Sequence, residues 1–308
     1  MDDPVYSVVI PVFNSTVTLP RLVDRLEAVF TEMGVGHEVI FVDDCSPNIE
    51  TWAILKELTA THQQVHCVRL ARNFGKAGAV LCGMSHISGQ FVITIDDDLQ
   101  HAPEDIPILV AECQHDVVIG AFQNKKKHSV LQIFTSWVKR RFEVLIFGDL
   151  KGVKMSPYKL FKAAVVENML KVATPHPFIP ALMLYATRDV VQVEITHHPR
   201  QHGQSGFNIR RRIRQFSNLL FGNSWLVLKA MAYLGFSIAL LSFVYGGWLI
   251  LSNLIYGRAV PGWTSLMVAT LILGGFILFS LGIIGEYLIR IIEGVEKRPP
   301  FLVGETAW

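Results

Sequence analysis

The chain has 308 residues, of which 51% are hydrophobic and 18% are charged, and its formal net charge is +2. This composition is more apolar than that of a typical soluble enzyme, and a net charge so near zero gives no reason to expect a nucleic-acid partner. The four cysteines are widely spaced with no C-x-x-C pair, so we expect reduced thiols rather than a zinc site or a redox pair. The first residues contain no cleavable signal, so the domain that follows is expected to stay in the cytoplasm.

Apolar strands alternate with helical patterns in the N-terminal part of the chain. The predicted strands are at 5–12, 38–42, 65–70 and 91–95, and the predicted helices are at 19–33, 51–61 and 77–87. Apolar strands separated by helices are typical of a mainly parallel sheet that is covered on both faces. We therefore predict an α/β domain that extends over residues 1–206.

Acidic residues directly follow two of these strands. Asp43 and Asp44 come after the second strand, and a run of three aspartates, Asp96 to Asp98, comes after the fourth. In open α/β sheets, ligands bind beyond the carboxyl ends of the strands, and adjacent carboxylates repel one another unless a cation neutralises them. The sequence therefore predicts a Mg²⁺ or Mn²⁺ site that is held by Asp96 and Asp98 and that bridges a diphosphate.

Two later segments combine basic residues with bulky apolar ones. Residues 129–147 and 207–228 are predicted to form amphipathic helices on an anionic membrane surface. A solvated face of a soluble-domain helix is the alternative for both segments. The second segment carries four arginines: Arg210, Arg211, Arg212 and Arg214.

The surplus of apolar residues lies in two long runs near the C-terminus. No charged residue occurs from 230 to 257 or from 259 to 285, and each run exceeds the roughly 20 residues needed to cross a bilayer. Basic residues flank the outer ends of the pair, whereas the connector carries only Arg258. The positive-inside rule then predicts a two-helix membrane hairpin at 229–292 and a tail at 293–308, with both termini in the cytoplasm.

Five motifs in a fixed order carry a family resemblance. They are V-V-I-P-V-F-N at 8–14, V-D-D-C-S at 42–46, R-N-F-G-K at 72–76, D-D-D-L-Q at 96–100 and R-Q-H-G-Q-S-G-F at 200–207. Together with the two apolar runs, they resemble the inverting family 2 glycosyltransferases of GT-A fold. Within that family the chain is similar to the polyprenyl-phosphate branch, which includes bactoprenol glucosyltransferases, undecaprenyl-phosphate aminoarabinose transferases and dolichyl-phosphate mannose synthases. The resemblance extends over essentially the whole chain.

The resemblance implies a role for each motif. The residues implied to hold the nucleotide are Pro11, Phe13, Asn14, Asp43, Asp44, Arg72 and Lys76. Asp43 or Asp44 would accept hydrogen bonds from the base or the ribose. The residues implied to act at the diphosphate and the reacting sugar are Asp96, Asp97, Asp98, Gln100, Arg200 and Ser205, with Asp98 favoured as the direct metal ligand. Arg200, Ser205 and the four arginines of the second amphipathic segment would meet the acceptor phosphate and the membrane surface.

Two positions depart from the family pattern. Gly206 stands where relatives commonly carry lysine, so Lys76 or the downstream arginines would have to supply that charge. Pro157 stands where some relatives carry an aspartate that is proposed to act as base, so we assign no general base. A phosphate monoester is largely dianionic at neutral pH and is already nucleophilic. Asp97 or Asp149 could still orient it.

These features predict an inverting transferase in the inner (plasma) membrane. It would move a sugar from a nucleotide-sugar, with UDP favoured over GDP, onto undecaprenyl phosphate at the cytoplasmic face, and so supply cell-envelope glycan or lipopolysaccharide modification. The resemblance also implies homo-oligomers, often tetramers. One rival is a processive polysaccharide synthase, although the Q-x-x-R-W motif of such enzymes is absent. The other is a non-catalytic membrane-anchored scaffold, although the acidic run is intact.

Overall fold

The computed structural model describes residues 4–122, 155–172, 174, 177–196, 233–238, 240–241, 244–245, 248, 251, 255, 262–295 and 298–308. The chain divides into two compact units, one made of Met1–Gly206 with Lys297–Trp308 and the other of Phe207–Glu296. Several predicted features lie outside the described residues: both amphipathic segments, most of the first apolar run, Asp149, Arg200, Ser205, Gly206, Arg210, Arg211, Arg212 and Arg214.

Strands and helices follow one another in the described part of the chain. The strands are β1 (Tyr6–Val12), β2 (His37–Asp43), β3 (Val65–Leu70), β4 (Phe91–Thr94), β5 (Val117–Phe122), β6 (Lys159–Lys162), β7 (Val190–Ile195) and β8 (Val303–Ala307). The helices are α1 (Thr18–Met33), α2 (Ile49–Thr61), α3 (Lys76–Met84), α4 (Ile106–Val110), α5 (Ala163–Leu170), α6 (Ile179–Ala186) and α7 (Trp263–Val295). The boundaries of the seven predicted strands and helices agree with these to within a few residues.

The strands form one mixed sheet in the order β7-β5-β6-β4-β1-β2-β3-β8. β1 pairs in parallel with β2 and β4, and β2 pairs in parallel with β3. β6 runs antiparallel to β4 and β5, and β8 runs antiparallel to β3. The chain moves outward from β1 to β3 and then returns to the other side of β1 with β4. Such a reversal opens a crevice at the carboxyl ends of the strands, which is where open α/β sheets bind ligands.

Helices cover both faces of the sheet because side chains alternate along each strand. Val8 and Ile10 of β1 belong to a buried cluster with α1 and α2. Val9, between them, belongs to a second cluster with α3, α5 and α6. The predicted α/β architecture with a parallel centre is therefore confirmed. The antiparallel strands β6 and β8 are not among the predicted strands.

The second unit contains the longest described helix, α7, which has 33 residues. Apolar side chains along it are largely exposed; Ile277 is 53% exposed and Phe279 is 59% exposed. In the described part of the chain, no helix is both long enough and apolar enough to cross a membrane. The predicted two-helix hairpin therefore stays a prediction.

Candidate active site

The acidic loop after β4 turns sharply and brings three potential ligands together. Leu99 adopts a left-handed conformation with a φ of 58°, and the Gln100 backbone N–H donates to Asp98 Oδ1 at 3.1 Å. One ligand atom each from Asp96, Asp98 and His101 then lies within 4.8 Å of the others. The two carboxylates that the sequence assigned to a metal therefore share their loop with an imidazole that it did not assign.

His101 is held rigidly beside these carboxylates. It is only 3% exposed, its ring stacks on Phe122 at 4.7 Å between centroids, and it packs against Tyr158 at 5.3 Å. Its Nε2 lies 3.3 Å from Ser156 Oγ, whereas its Nδ1 is buried without a hydrogen-bond partner. Burial lowers the pKa of His101, which favours the neutral ring that binds metals.

This donor set fits a divalent cation. Carboxylate oxygens suit both Mg²⁺ and Mn²⁺, and an imidazole nitrogen suits a transition metal better than Mg²⁺. An unsatisfied buried polar atom such as His101 Nδ1 costs about 1–3 kcal/mol, which a bound ion at that atom would remove. The loop residues are therefore suited to hold a metal ion, with Mn²⁺ the better match.

Lys76 supplies a positive charge to the same loop. It is the first residue of α3, and its Nζ lies 2.5 Å from Asp96 Oδ1 and 2.7 Å from Asp96 Oδ2. The sequence predicted Lys76 near the nucleotide, and the structure places it on a metal-site carboxylate. Because the lysine side chain is half exposed and flexible, it can move from Asp96 to a bound phosphate without disturbing the fold.

Asp97, the middle residue of the acidic run, is not part of this cluster. It is held instead by a hydrogen bond with Ser15 in the loop after β1. Burial raises the pKa of Asp97 to about 6, the neighbouring carboxylates add to that rise, and the Ser15 hydrogen bond opposes it. Its Oδ2 has no hydrogen-bond partner. Asp97 therefore connects two loops of the crevice rather than completing the metal ligand set.

Asp43, the last residue of β2, and Asp44, which follows it, hold nearby parts of the chain in place. Asp44 accepts hydrogen bonds from the backbone N–H groups of Phe74 at 2.7 Å and Gly75 at 2.9 Å. Asp43 accepts one from the Ser46 backbone N–H at 3.0 Å. Its other oxygen lies 3.2 Å from Arg69 Nε, in a geometry that forms no hydrogen bond. Both residues thus position the loops of the nucleotide side, and direct contact with a base or ribose stays a prediction.

Comparison with known proteins identifies the family. The sequence model for glycosyl transferase family 2 matches residues 7–170. The chain belongs to this family. It is 35% identical to an uncharacterized glycosyltransferase of Synechocystis sp. over 97% of this chain and 94% of the relative. It is 32% identical to the undecaprenyl-phosphate 4-deoxy-4-formamido-L-arabinose transferase of Edwardsiella ictaluri over 96% of this chain and 92% of that enzyme.

A solved structure of another enzyme shows the same fold. Glucosyl-3-phosphoglycerate synthase from Mycobacterium tuberculosis, in complex with Mn²⁺ and UDP-glucose, superposes with a TM-score of 0.53 at 17% identity. The match covers 71% of this chain and 79% of that one. This superposition confirms the predicted GT-A-like fold, and the family match confirms the predicted glycosyltransferase class.

Besides His101, Lys159 was not identified from the sequence as a residue of this glycosyltransferase site. Lys159 begins β6 opposite Thr94 of β4, is 4% exposed, and donates to the Ser156 carbonyl. Burial lowers the pKa of Lys159 to about 8, although nearby Asp96 opposes this effect. The available signal was its place two residues after Pro157, a position at which the sequence departs from the family pattern.

The remaining residues that are predicted to hold the nucleotide lie at or near the ends of β1 and β3. Phe13, after β1, is 46% exposed, so an aromatic ring there is accessible to a base. The Asn14 side chain accepts a hydrogen bond from the Asn48 backbone N–H at 3.2 Å. The Arg72 guanidinium lies over the Phe74 ring at 4.5 Å, and Pro11 is a half-buried residue of β1.

Proposed function

We propose that this glycosyltransferase moves a sugar from a nucleotide-sugar, UDP-linked in preference to GDP-linked, onto undecaprenyl phosphate. The observation that carries the proposal is the cluster of Asp96, Asp98 and His101, with Lys76 beside it, at the carboxyl end of β4. Carboxylates and a cation in such a crevice are suited to a metal-bound diphosphate. The acceptor follows from relatives about 30% identical over nearly the whole chain, which are named for transfer to undecaprenyl phosphate.

The residues around the cluster prepare the donor for displacement. Asp96, Asp98 and His101 would hold a Mg²⁺ or Mn²⁺ ion. When bound, such an ion neutralises the donor phosphates and the charge that develops on the departing nucleoside diphosphate. Lys76 adds its own charge once Asp96 has another partner, and Asp44 keeps the loop that leads to Lys76 in place through the Phe74 and Gly75 N–H groups.

The acceptor side requires attraction of a phosphate rather than removal of a proton. A lipid phosphate monoester is mostly dianionic at neutral pH, so it can attack the anomeric carbon directly and invert it. The backbone of Pro157, whose carbonyl accepts from Thr94 Oγ1 at 2.7 Å, lies at the end of β4 but offers no side-chain base. The buried ammonium of Lys159 is suited to attract this phosphate. Arg200 and Ser205 stay the predicted partners of the phosphate.

We further propose that residues 229–292 form a two-helix membrane hairpin, with the segments at 129–147 and 207–228 on the cytoplasmic surface. Two charge-free runs support the spans, and the exposed apolar side chains of α7 suit a lipid environment. The hydrogen bonding of β8 to β3 is an independent argument for two spans rather than one. Because the chain leaves the first unit at 206 and rejoins it at 297, it must cross a bilayer an even number of times.

The direct test is sugar transfer in membranes that contain the protein. A panel of labelled nucleotide-sugars is incubated with undecaprenyl phosphate and either Mg²⁺ or Mn²⁺. The proposal predicts acid-labile, lipid-extractable label from one of the donors. Long polymer would instead support a processive synthase, and no transfer from any donor would support a scaffold.

A pair of matched variants links that transfer to the cluster. Asp98→Asn should reduce turnover by at least about a hundredfold because it removes a carboxylate that would hold the metal ion at the diphosphate. Asp24→Asn makes the same chemical change on the exposed side of α1 and should leave turnover unchanged. Equal activity in both variants would contradict the assignment. Size measurement in mild detergent tests the homo-oligomer, a tetramer by resemblance, that the family implies.

A further inference from the structure

The C-terminal segment 298–308, which we name the tail, folds onto the catalytic unit. Its strand β8 pairs antiparallel with β3, from Cys67 opposite Ala307 to Leu70 opposite Val303. Without the tail, β3 would be the edge strand and would present unpaired N–H and C=O groups. β8 pairs with these groups. The side chains of β8 are mostly exposed, so this pairing buries little apolar surface and contributes little to the core.

The tail also contacts the chain just before the nucleotide-side loop. The Leu302 carbonyl accepts a hydrogen bond from the Ala71 backbone N–H at 2.8 Å. Gly304 packs so closely on Ala71 that an added Cβ would lie 3.1 Å from its Cα atom. Ala71 is followed directly by Arg72, the first residue of the R-N-F-G-K loop. The tail therefore fixes the point from which this loop starts.

The tail holds α3 along its length as well. An added Cβ on Gly78, in the first turn of α3, would lie 2.8 Å from the Pro300 carbonyl oxygen. Phe301 packs against the buried clusters to which the middle of α3 contributes. Beyond the other end of α3, the Trp308 ring lies 5.7 Å from the His86 ring. Contacts with the start, middle and end of one helix fix both its position and its rotation.

These contacts converge on Lys76, which joins the loop to α3. The loop amides of Phe74 and Gly75 are held by Asp44 on one side, and the tail holds Ala71 and α3 on the other. We propose that the tail is a positioning element of the donor site, which sets the loop and α3 so that Lys76 reaches Asp96 and the diphosphate. The effect on the donor rests on the proposed function, whereas the effect on the loop does not.

Phe301→Ala in the full-length protein tests this role with two readouts. The first is hydrogen exchange of the peptide 71–78 without ligand, which should become about tenfold faster while exchange in β1 is unchanged. The second is steady-state transfer, in which the KM for the nucleotide-sugar should rise by about fivefold to tenfold and the KM for the lipid acceptor should not change. A control, Met33→Ala, removes another partly buried apolar side chain that packs against a core cluster, at the end of α1, and should change neither readout.

Each other outcome counts against the inference. Unchanged exchange at 71–78, or an equal increase in β1, would show that the tail does not hold the loop specifically. If Phe301→Ala does not fold, Trp308→Ala replaces it, because this side chain is 59% exposed and contributes less to stability. Without transfer in the wild type, the donor assignment fails, while the exchange experiment still decides whether the tail positions the loop.

Discussion

His101→Phe separates a metal ligand from a packing residue. Phenylalanine keeps an aromatic ring between Phe122 and Tyr158 but removes both nitrogens. Removal of the buried Nδ1, which has no hydrogen-bond partner, should gain about 1–3 kcal/mol, and loss of the long 3.3 Å contact between Nε2 and Ser156 Oγ should cost about 0.5–1.5 kcal/mol. The metal-free protein should therefore be equally stable or more stable. Loss of a ligand should weaken Mn²⁺ binding by at least about tenfold, since mutation of a residue that only hydrogen-bonds to a metal ligand already lowers metal affinity by about 10–100-fold. Stability and metal affinity should therefore change in opposite directions.

The assay measures both quantities on the same preparations. Free Mn²⁺ is followed by electron paramagnetic resonance during titration, and the free energy of unfolding is measured without metal. In the wild type, the bound Mn²⁺ signal should also show coupling to an imidazole nitrogen, which is lost in His101→Phe. Ser156→Ala is the matched control because Ser156 Oγ lies beside the other ring nitrogen at 3.3 Å. Unchanged Mn²⁺ affinity in His101→Phe would refute the ligand assignment.

Three further predictions concern the charged groups near the cluster. Lys76→Met should raise the affinity for Mn²⁺ in the absence of nucleotide by only about threefold, because the ion pair with Asp96 is half exposed. The same variant should raise the KM for the donor. Metal titration checks the first effect and steady-state kinetics check the second. Asp44→Asn should speed hydrogen exchange of the Gly75 N–H in the ligand-free protein. If Asp44 only contacted the nucleotide, this substitution would not change exchange in the absence of ligand. Transfer should fall as pH rises through about 8, where Lys159 loses its charge, and Lys159→Arg should move this fall to higher pH. The pKa of Lys159 in the folded state lies below its unfolded value of 10.5, so the unfolded state binds more protons between about pH 8 and pH 10.5. The free energy of unfolding should therefore rise with pH in this range, and this rise should be absent in Lys159→Met.

The parallel half of the sheet was predictable because its signals are local. Each of β1 to β4 is a short apolar run whose end is marked by polar residues, such as Asp43 and Asp44 at the end of β2 and Asp96 after β4. The order of these runs fixes which strand ends meet at one edge. The position of the acidic cluster is therefore predictable from the sequence.

The rest depends on contacts between distant parts of the chain. β6 has only four residues, two of them lysines, and its strand conformation comes from pairing with β4 and β5. The sequence of β8 is largely polar and does not predict a strand, and its strand conformation comes from pairing with β3. His101 lies three residues beyond Asp98, and only the left-handed turn at Leu99 brings its ring back to the carboxylates. Side-chain partners such as those of Asp44 likewise follow from loop packing, which no motif specifies.

The backbone itself indicates that this edge of the sheet is the functional one. Among the described residues, the non-glycine residues with positive φ are Asn14, Cys45 and Leu99, at 58°, 54° and 58°. They follow β1, β2 and β4, which are adjacent in the sheet. Left-handed conformations of this kind cost about 1–3 kcal/mol each and persist where surrounding contacts hold them. Their concentration at three neighbouring strand ends means that the fold maintains strain in the loops that carry the metal and nucleotide residues. That distribution supports a binding crevice on physical grounds independent of the family comparison.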